Sequence, residues 1–219
     1  MEKIQKLDFL IAFYIFCIVV TELMGGKTIP VANIFGHQFN GSVSLFLLLF
    51  VYSINDIITE VYGKERTRSV VRSGLMMVFF LFIFTMLATW LPPSSRFIAN
   101  EAAYDTIFKI SSRLSAASLL AFGFAEFMDI FIYSKIRERF GKSKLWLRNN
   151  LSNFMAQLVD TVVFMTFAFY AFDHTFASNF NYLISLILPY WLLKCSVSVI
   201  ETPFVYLGVK WLSNPAKNR

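Results

Sequence analysis

Polar side chains recur at helical spacing inside long apolar stretches of this sequence. The stretch 151–172 is the clearest case, because Asn153, Gln157 and Asp160, followed by Phe164, share one face of a helix. Ionisable groups are costly inside a bilayer and normally face the interior of a helix bundle, where they mark a ligand site or an ion pathway. The amide and carboxylate groups on this face therefore predict recognition of a polar ligand by hydrogen bonds.

Three other apolar stretches carry polar stripes of the same kind. Their members are spaced three or four residues apart, so each stripe lies on a single helical face. The stripes comprise Tyr52, Asp56 and Glu60 in the second predicted helix, Glu126 and Asp129 in the fourth, and Lys194, Ser198 and Glu201 in the sixth. We expect every stripe to point into the bundle and to leave Phe, Leu and Ile side chains to the lipid.

Acids outnumber bases inside the predicted spans. The acids are Asp56, Glu126, Asp129, Asp160 and Glu201, and the base is Lys194. Unpaired buried carboxylates are costly, so this excess favours a cationic or N–H-rich substrate, or transported protons. Gln157, Asp160 and Glu201 are the strongest candidates, because they lie deep in their helices and have few basic neighbours. Glu22, near the outer end of the first helix, is expected to be hydrated.

Most of the 26 Phe, 9 Tyr and 4 Trp residues are expected to pack helices or face lipid. Tyr52, Phe164 and Trp191 lie near the level of the polar groups and could stack on a flat ligand ring. Such stacking contributes about 1–3 kcal/mol per ring. The sequence contains no phosphate-binding loop of the G-x-x-x-x-G-K-[ST] type, no H-E-x-x-H and no G-x-S-x-G. It therefore predicts no metal, no cofactor and no catalytic centre.

The composition is that of a membrane protein rather than a soluble one. The chain of 219 residues is 57% hydrophobic and 16% charged, whereas soluble domains average about 45–50% apolar and about 25% charged residues. Each span takes about 20 apolar residues, so six helices use most of the chain. We predict an all-α membrane protein, a bundle of six transmembrane helices forming one domain over 1–219, with helices at 8–24, 41–59, 70–91, 114–134, 151–172 and 182–212. The last helix should either kink near Pro203 or begin near Pro189.

Basic residues indicate the orientation. With the N-terminus inside, 15 Lys and Arg residues lie on the cytoplasmic side, 4 lie outside and Lys194 lies in a span. This asymmetry follows the positive-inside rule and predicts that both termini are cytoplasmic. The net charge of +6 is therefore a signature of topology, and the predicted partner is the lipid bilayer rather than nucleic acid.

Three motifs in order resemble the queuosine precursor transporter family, also called the vitamin uptake transporter family. The first reads N-D-I-I-T-E-V-Y-G-K-E-R-T-R from Asn55, the second Q-L-V-D-T-V-V-F over Gln157–Phe164, and the third E-T-P-F-V-Y-L from Glu201, followed by G-V-K-W. Their order and spacing fit across nearly the whole chain. The basic segment Lys64–Arg72 is similar to a cytoplasmic loop of that family.

The resemblance implies a six-helix transporter of the bacterial inner membrane and 7-deazaguanine substrates: 7-cyano-7-deazaguanine, 7-aminomethyl-7-deazaguanine or queuine. It points to Asp56, Glu60, Gln157, Asp160 and Glu201 as functional positions. A carboxylate such as Asp160 or Glu201 can accept the ring N1–H and the exocyclic amine of a deazaguanine as a forked pair. Gln157 suits the carbonyl edge, and Asp56 or Glu126 suits an aminomethyl cation.

Other functions remain open at this stage. A substrate-binding subunit of an energy-coupling-factor vitamin transporter also has six helices, but such subunits dock through small residues four apart on helix one, where this chain has Ala12 followed by Phe16. A membrane enzyme would need a set of catalytic residues, and this sequence contains no recognisable one. A structural partner would leave the deep acids unexplained, and a homo-oligomer is compatible with each alternative.

Overall fold

The computed structural model describes residues 5–34, 36–140 and 145–213. Within these ranges the chain forms six helices and one β-hairpin. The elements are α1 (Lys6–Met24), β1 (Thr28–Ile34), β2 (His37–Ser42), α2 (Leu45–Tyr62), α3 (Lys64–Trp90), α4 (Ile98–Phe140), α5 (Leu145–Phe169) and α6 (Phe176–Ser213). Each predicted helix overlaps one of these six, which confirms the helical class.

Four helices are long and apolar enough to cross a membrane within the described residues. They are α1, α2, α3 and the Ile98–Ala125 part of α4, with mean hydropathies from 1.2 to 2.2. A shorter apolar helix, Phe154–Phe169, lies in α5. The protein is thus a multi-pass membrane protein, and the count of six spans stays a prediction.

The surface of α3 has the character of a lipid-facing helix. Nine of its large apolar side chains are exposed: Met76, Met77, Phe79, Phe80, Ile83, Phe84, Met86, Leu87 and Trp90. Soluble monomers rarely expose contiguous apolar patches of this size. Burial in lipid accounts for them.

The hairpin formed by β1 and β2 was not predicted, because most of it lies between the first two predicted helices, where no regular structure was expected. Pro30 argues against a strand in the middle of a sheet. In a two-stranded sheet, however, both strands are edges, where proline is tolerated. Gly36 lies between the strands with φ of 79°, a conformation that L side chains rarely adopt.

Two helix boundaries differ from the prediction for physical reasons. α4 begins at Ile98 rather than near 114, because its first turns are polar and hydropathy alone does not reveal them. Lys109 pairs there with Asp105 one turn earlier at 2.6 Å. α6 begins at Phe176 and continues to Ser213, so the predicted alternative of a start near Pro189 is wrong.

A single residue separates α2 from α3. Gly63 has φ of 83° and ψ of 167°, a region that is essentially restricted to glycine. Thr59 and Thr67 hydrogen-bond through their hydroxyls across this corner at 2.8 Å. The basic segment Lys64–Arg72, interpreted from the resemblance as a loop, is instead the start of α3.

The fold divides into two compact units. Unit 1 is formed by the chain up to Thr28, by Ser42–Ser112 and by the chain from Ser196, and unit 2 by Ile29–Gly41 and Arg113–Cys195. α4 and α6 each contribute residues to both. Each unit has a hydrophobic cluster of its own.

Unit 1 contains the larger hydrophobic cluster. It is built from Leu10, Tyr14 and Cys17 of α1, Val51, Ile54, Ile57 and Ile58 of α2, Val70 of α3 and Leu212 of α6. Gly74 and Gly208 permit close approach. A Cβ on Gly74 would lie 2.9 Å from Ile18 Cδ1, and one on Gly208 would lie 2.2 Å from Ile57 Cδ1.

The cluster in unit 2 is smaller. It consists of Leu114, Ala117 and Ala168, with Phe164 and Phe169 packed against it. The hairpin is attached to the same unit, because the Asn40 amide donates to the Ser185 hydroxyl of α6 at 3.2 Å.

Candidate functional site

The central polar contact of unit 2 joins α5 to α6. The Lys194 ammonium donates to the Asp160 carboxylate in a direct ion pair. The side chain of Lys194 is 11% exposed and that of Asp160 is 30% exposed. Both charges are therefore largely removed from solvent, where mutual attraction is strong and the loss of either partner is costly.

This pairing corrects one expectation. Asp160 was predicted to have few basic neighbours, but it contacts Lys194, the base that the sequence places inside a span. The two residues are 34 positions apart, so helical periodicity could not reveal the pair. The carboxylate nevertheless offers about four lone-pair positions. It can therefore hold Lys194 and still accept hydrogen bonds from a ligand.

Gln157 lies one turn before Asp160 on the same face of α5 and is partly buried. Thr161 is buried, and its hydroxyl donates to the Gln157 carbonyl oxygen at 2.8 Å, so Thr161 is used within the helix. Phe164 packs against the apolar cluster of unit 2 and meets Phe169 edge to face, with ring centroids 6.4 Å apart. Phe164 therefore contributes to packing, and its predicted contact with a ligand stays a prediction.

A second contact between α5 and α6 is aromatic. Phe154 and Trp191 have ring centroids 4.6 Å apart at an interplanar angle of 60°. The indole Nε1 of Trp191 is buried, and no side chain or backbone group within the described ranges accepts from it. Trp191 and Lys194 are separated by one turn of α6, so the two contacts belong to one stretch of that helix.

Two residues that sequence reasoning missed hold the end of α5. Arg113 donates from Nε to the Phe167 carbonyl oxygen at 2.7 Å and from its guanidinium to the Tyr170 carbonyl oxygen. A cation suits a helix C-terminus, where carbonyl groups lack partners. From the sequence, Arg113 was only one of the four Lys and Arg residues predicted to lie on the outer side of the membrane.

Asn179 completes this anchor from the first turn of α6. Its side-chain oxygen accepts from the Ala171 backbone N–H at 2.9 Å, and its amide donates to the Ala171 carbonyl oxygen at 2.7 Å. The same amide reaches the His174 and Thr175 carbonyl oxygens at 3.2 and 3.3 Å. Asn179 is buried at 3% exposure. The turn formers Asp173 and Ser178, which precede Asn179 in a break between apolar stretches, are the signal that could have identified it.

The polar stripe of α2 lies in unit 1 and is arranged differently. Tyr52 is partly buried, whereas Asp56 and Glu60 are exposed. The expectation that this stripe points inward is therefore wrong for Asp56, whereas the exposure of Glu60, four residues before Lys64, agrees with an interfacial position. The reason is that Ile54, Ile57 and Ile58 occupy the buried face of α2, and the helical repeat turns the acids away from it.

Several predicted residues lie outside the described side chains. They are Glu126, Asp129, Asn153, Ser198 and Glu201. Their roles stay predictions. Among the described residues, no group of three or more His, Cys, Asp or Glu side chains could hold a metal ion.

Glu22 was expected to be hydrated, and that expectation is wrong. Its side chain lies in unit 1 at 5% exposure. The nearby Ser42 hydroxyl donates to the Gly25 carbonyl oxygen at 2.6 Å, and Ser111 donates to the Leu23 carbonyl oxygen at 2.9 Å. Glu22 thus lies near the end of α1, which is contacted by Ser42 at the end of β2 and by Ser111 of α4.

Comparison with known proteins gives two matches. The family described as "Putative vitamin uptake transporter" matches residues 42–208. A "Probable queuosine precursor transporter" of Bacillus subtilis (strain 168) is 32% identical over 176 residues, which cover 77% of this chain and 71% of the relative. No solved structure matches the chain.

Proposed function

Because the chain belongs to the vitamin uptake transporter family, we propose that it imports a queuosine precursor. The proposed substrates are 7-deazaguanines: 7-cyano-7-deazaguanine, 7-aminomethyl-7-deazaguanine or queuine. The name of the Bacillus subtilis relative supports this substrate class. All three motifs that carry the resemblance overlap the matched region 42–208.

The observation that carries the site is the ion pair between Asp160 and Lys194. A deazaguanine presents adjacent N–H donors beside a carbonyl acceptor. In the proposed complex Asp160 accepts from those donors while it remains paired with Lys194. Charge-assisted bonds of this kind are the strong ones. Gln157, one turn away, supplies both a donor and an acceptor for the rest of the polar edge.

The other candidates remain proposals with less support. Tyr52, Asp56 and Glu60 belong to unit 1, and both acids are exposed. Glu126, Asn153 and Glu201 lie outside the described side chains. An aminomethyl substituent would be cationic and would favour an acid such as Glu126 or Asp56 as its partner.

The proposed topology has six spans in the bacterial inner membrane with both termini in the cytoplasm. The excess of Lys and Arg on one side supports this orientation. Fusion of a reporter that is active only in the cytoplasm should give signal at each terminus. Signal at one terminus alone would contradict an even number of spans.

The function is tested in cells that cannot make the queuosine precursor. These cells would express the chain and receive each 7-deazaguanine at low concentration, and queuosine in their tRNA would be measured. Rescue by at least one compound is the expected result. Absence of rescue by every compound, with the protein present in the membrane, would contradict the proposed function.

A further inference from the structure

Trp191 of α6 carries a donor that the described part of the chain leaves unused. Its indole Nε1 is buried and has no hydrogen-bond partner among the described residues. An indole nitrogen can only donate, and buried Trp side chains usually find an acceptor. An unmade bond here opposes folding, so a purely structural Trp at this position would be disfavoured.

The ring of Trp191 is already engaged by the protein. Phe154 meets it at a centroid separation of 4.6 Å and an angle of 60°. This edge-to-face geometry is a favourable aromatic contact. It occupies one part of the indole and leaves the N–H as the unsatisfied group. The sequence predicted that Trp191 stacks on a ligand. In the structure, the unsatisfied group of this side chain is its N–H donor.

Trp191 lies on the same two helices as the proposed site. Lys194 follows it by one turn on α6 and pairs with Asp160 of α5. Phe154, Gln157 and Asp160 recur every three residues on α5. The aromatic contact and the ion pair therefore link the same two helices of unit 2, with Gln157 between them along α5.

We propose that the Trp191 N–H donates a hydrogen bond to the ring carbonyl oxygen of the transported heterocycle. The inference rests on the proposed function and adds a specificity determinant to the same site. Asp160 accepts from the ligand donors, and Trp191 supplies the donor for the adjacent carbonyl. A ligand with an amino group in place of that carbonyl presents a donor to a donor and is rejected, because both groups stay unpaired.

The test combines Trp191→Phe with a change in the ligand. Uptake would be measured for 7-cyano-7-deazaguanine and for its analogue that lacks the ring carbonyl oxygen. Wild type should favour the carbonyl compound about tenfold or more, as expected for one buried hydrogen bond. Trp191→Phe should lower uptake efficiency for the carbonyl compound about tenfold and change uptake of the analogue less than about twofold.

Trp191→His provides a second variant because it retains a ring N–H. It should keep part of the preference for the carbonyl compound, and that preference is measurable even if Trp191→Phe does not accumulate in the membrane. Trp90→Phe is the matched control, since Trp90 is 79% exposed on α3, and it should behave as wild type with both ligands.

Three outcomes would overturn the inference. The first is an equal fall in uptake efficiency for both ligands in Trp191→Phe, and the second is unchanged uptake of both ligands in that variant. The third is an equal loss of the preference for the carbonyl compound in Trp191→Phe and Trp191→His. Each leaves the proposed function intact, because wild type still transports. Failure of wild type to take up either compound would instead contradict the proposed function itself.

Discussion

Unit 1 and unit 2 are built from the same kinds of helices but are held together differently. The core of unit 1 is a continuous set of large apolar side chains from α1, α2 and α3. Unit 2 also buries apolar side chains, among them Met165, Leu186 and Tyr190, and its helices are joined in addition by a partly buried ion pair and by the Asn179 and Arg113 anchors. We therefore propose that unit 1 serves as a scaffold and that the polar contacts between α5 and α6 in unit 2 serve the substrate.

Unsatisfied polar atoms do not separate the two units. In unit 1 the Tyr14 hydroxyl hydrogen-bonds the Asn55 side chain, and serine and threonine hydroxyls bond nearby backbone carbonyls. Buried side-chain atoms without a partner among the described residues occur in both units, at Thr21, Asn55 and Asp105 in unit 1 and at Ser115 and Trp191 in unit 2. What distinguishes unit 2 is the ion pair between α5 and α6. We therefore predict that mutations in unit 1 act on stability and that mutations at this pair act on uptake.

The largest effect is expected at the ion pair. Lys194→Met leaves the Asp160 carboxylate, which is 30% exposed, without its basic partner, and the loss of this charged hydrogen bond should cost about 1.5–3 kcal/mol of unfolding free energy. The double variant Asp160→Asn with Lys194→Met removes both charges and should recover most of that loss. Thermal unfolding of the purified protein in detergent measures both. Equal destabilisation of the single and double variants would show that the pair is not coupled.

The next effect is expected at the close approach of α6 to α2 in unit 1. Gly208→Val places new atoms against Ile57, where even a Cβ would lie 2.2 Å from Cδ1. Overpacking of this kind costs about 1–3 kcal/mol. Abundance and thermal midpoint should fall, while the KM for uptake stays unchanged.

Gly123→Val is the matched control for that variant. Gly123 is also helical, but a Cβ there would meet nothing within 4 Å. It should accumulate like wild type. A change in KM for Gly208→Val would assign unit 1 a part in substrate binding.

Loss of the Asn179 anchor should act on unit 2. Asn179→Ala leaves the Ala171 N–H and several carbonyl groups without their partner, at a cost of about 1–3 kcal/mol. Because Asn179 holds the turn between α5 and α6, uptake should fall together with the thermal midpoint. Ser178→Ala alters the exposed neighbouring residue and should leave both unchanged. Normal uptake in a destabilised Asn179→Ala protein would show that the anchor does not position the site.

The smallest effect is expected at the surface. Arg68 pairs with Glu65 at 2.8 Å, but the two side chains are 64% and 88% exposed. Exposed pairs contribute little to stability. Arg68→Ala should therefore leave the thermal midpoint unchanged within error. A clear fall would mean that the start of α3 is held by charge rather than by the packing of Val70.

Helical periodicity predicted the parts of the site that depend on one helix. The face shared by Gln157 and Asp160 follows from 3.6 residues per turn, and the structure places both on α5. The pairing of Asp160 with Lys194 depends on how two helices pack, which the sequence of either helix does not encode alone. The same limit explains Asp56, because its exposure follows from which face of α2 packs in unit 1.

Hydropathy predicted where apolar helices lie and missed structure that is polar or strand-like. The first turns of α4 are helical but polar, and an Asp105–Lys109 pair contributes to them. The hairpin from Thr28 to Ser42 is a pair of edge strands, whose pattern tolerates proline and lacks a long apolar run. Gly63 forms the corner after α2 with a positive φ. Hydropathy carries no information about backbone dihedral angles and could not predict it.

The central claim is that the polar contacts of unit 2 serve substrate uptake. The most direct test is uptake of labelled 7-cyano-7-deazaguanine into liposomes that contain purified wild type, the double variant Asp160→Asn with Lys194→Met, or Gly123→Ala as control. The account predicts uptake by wild type and by the control, and a loss of at least about tenfold in the double variant at equal protein content and similar thermal midpoint. Uptake by the double variant at the wild-type rate would contradict it.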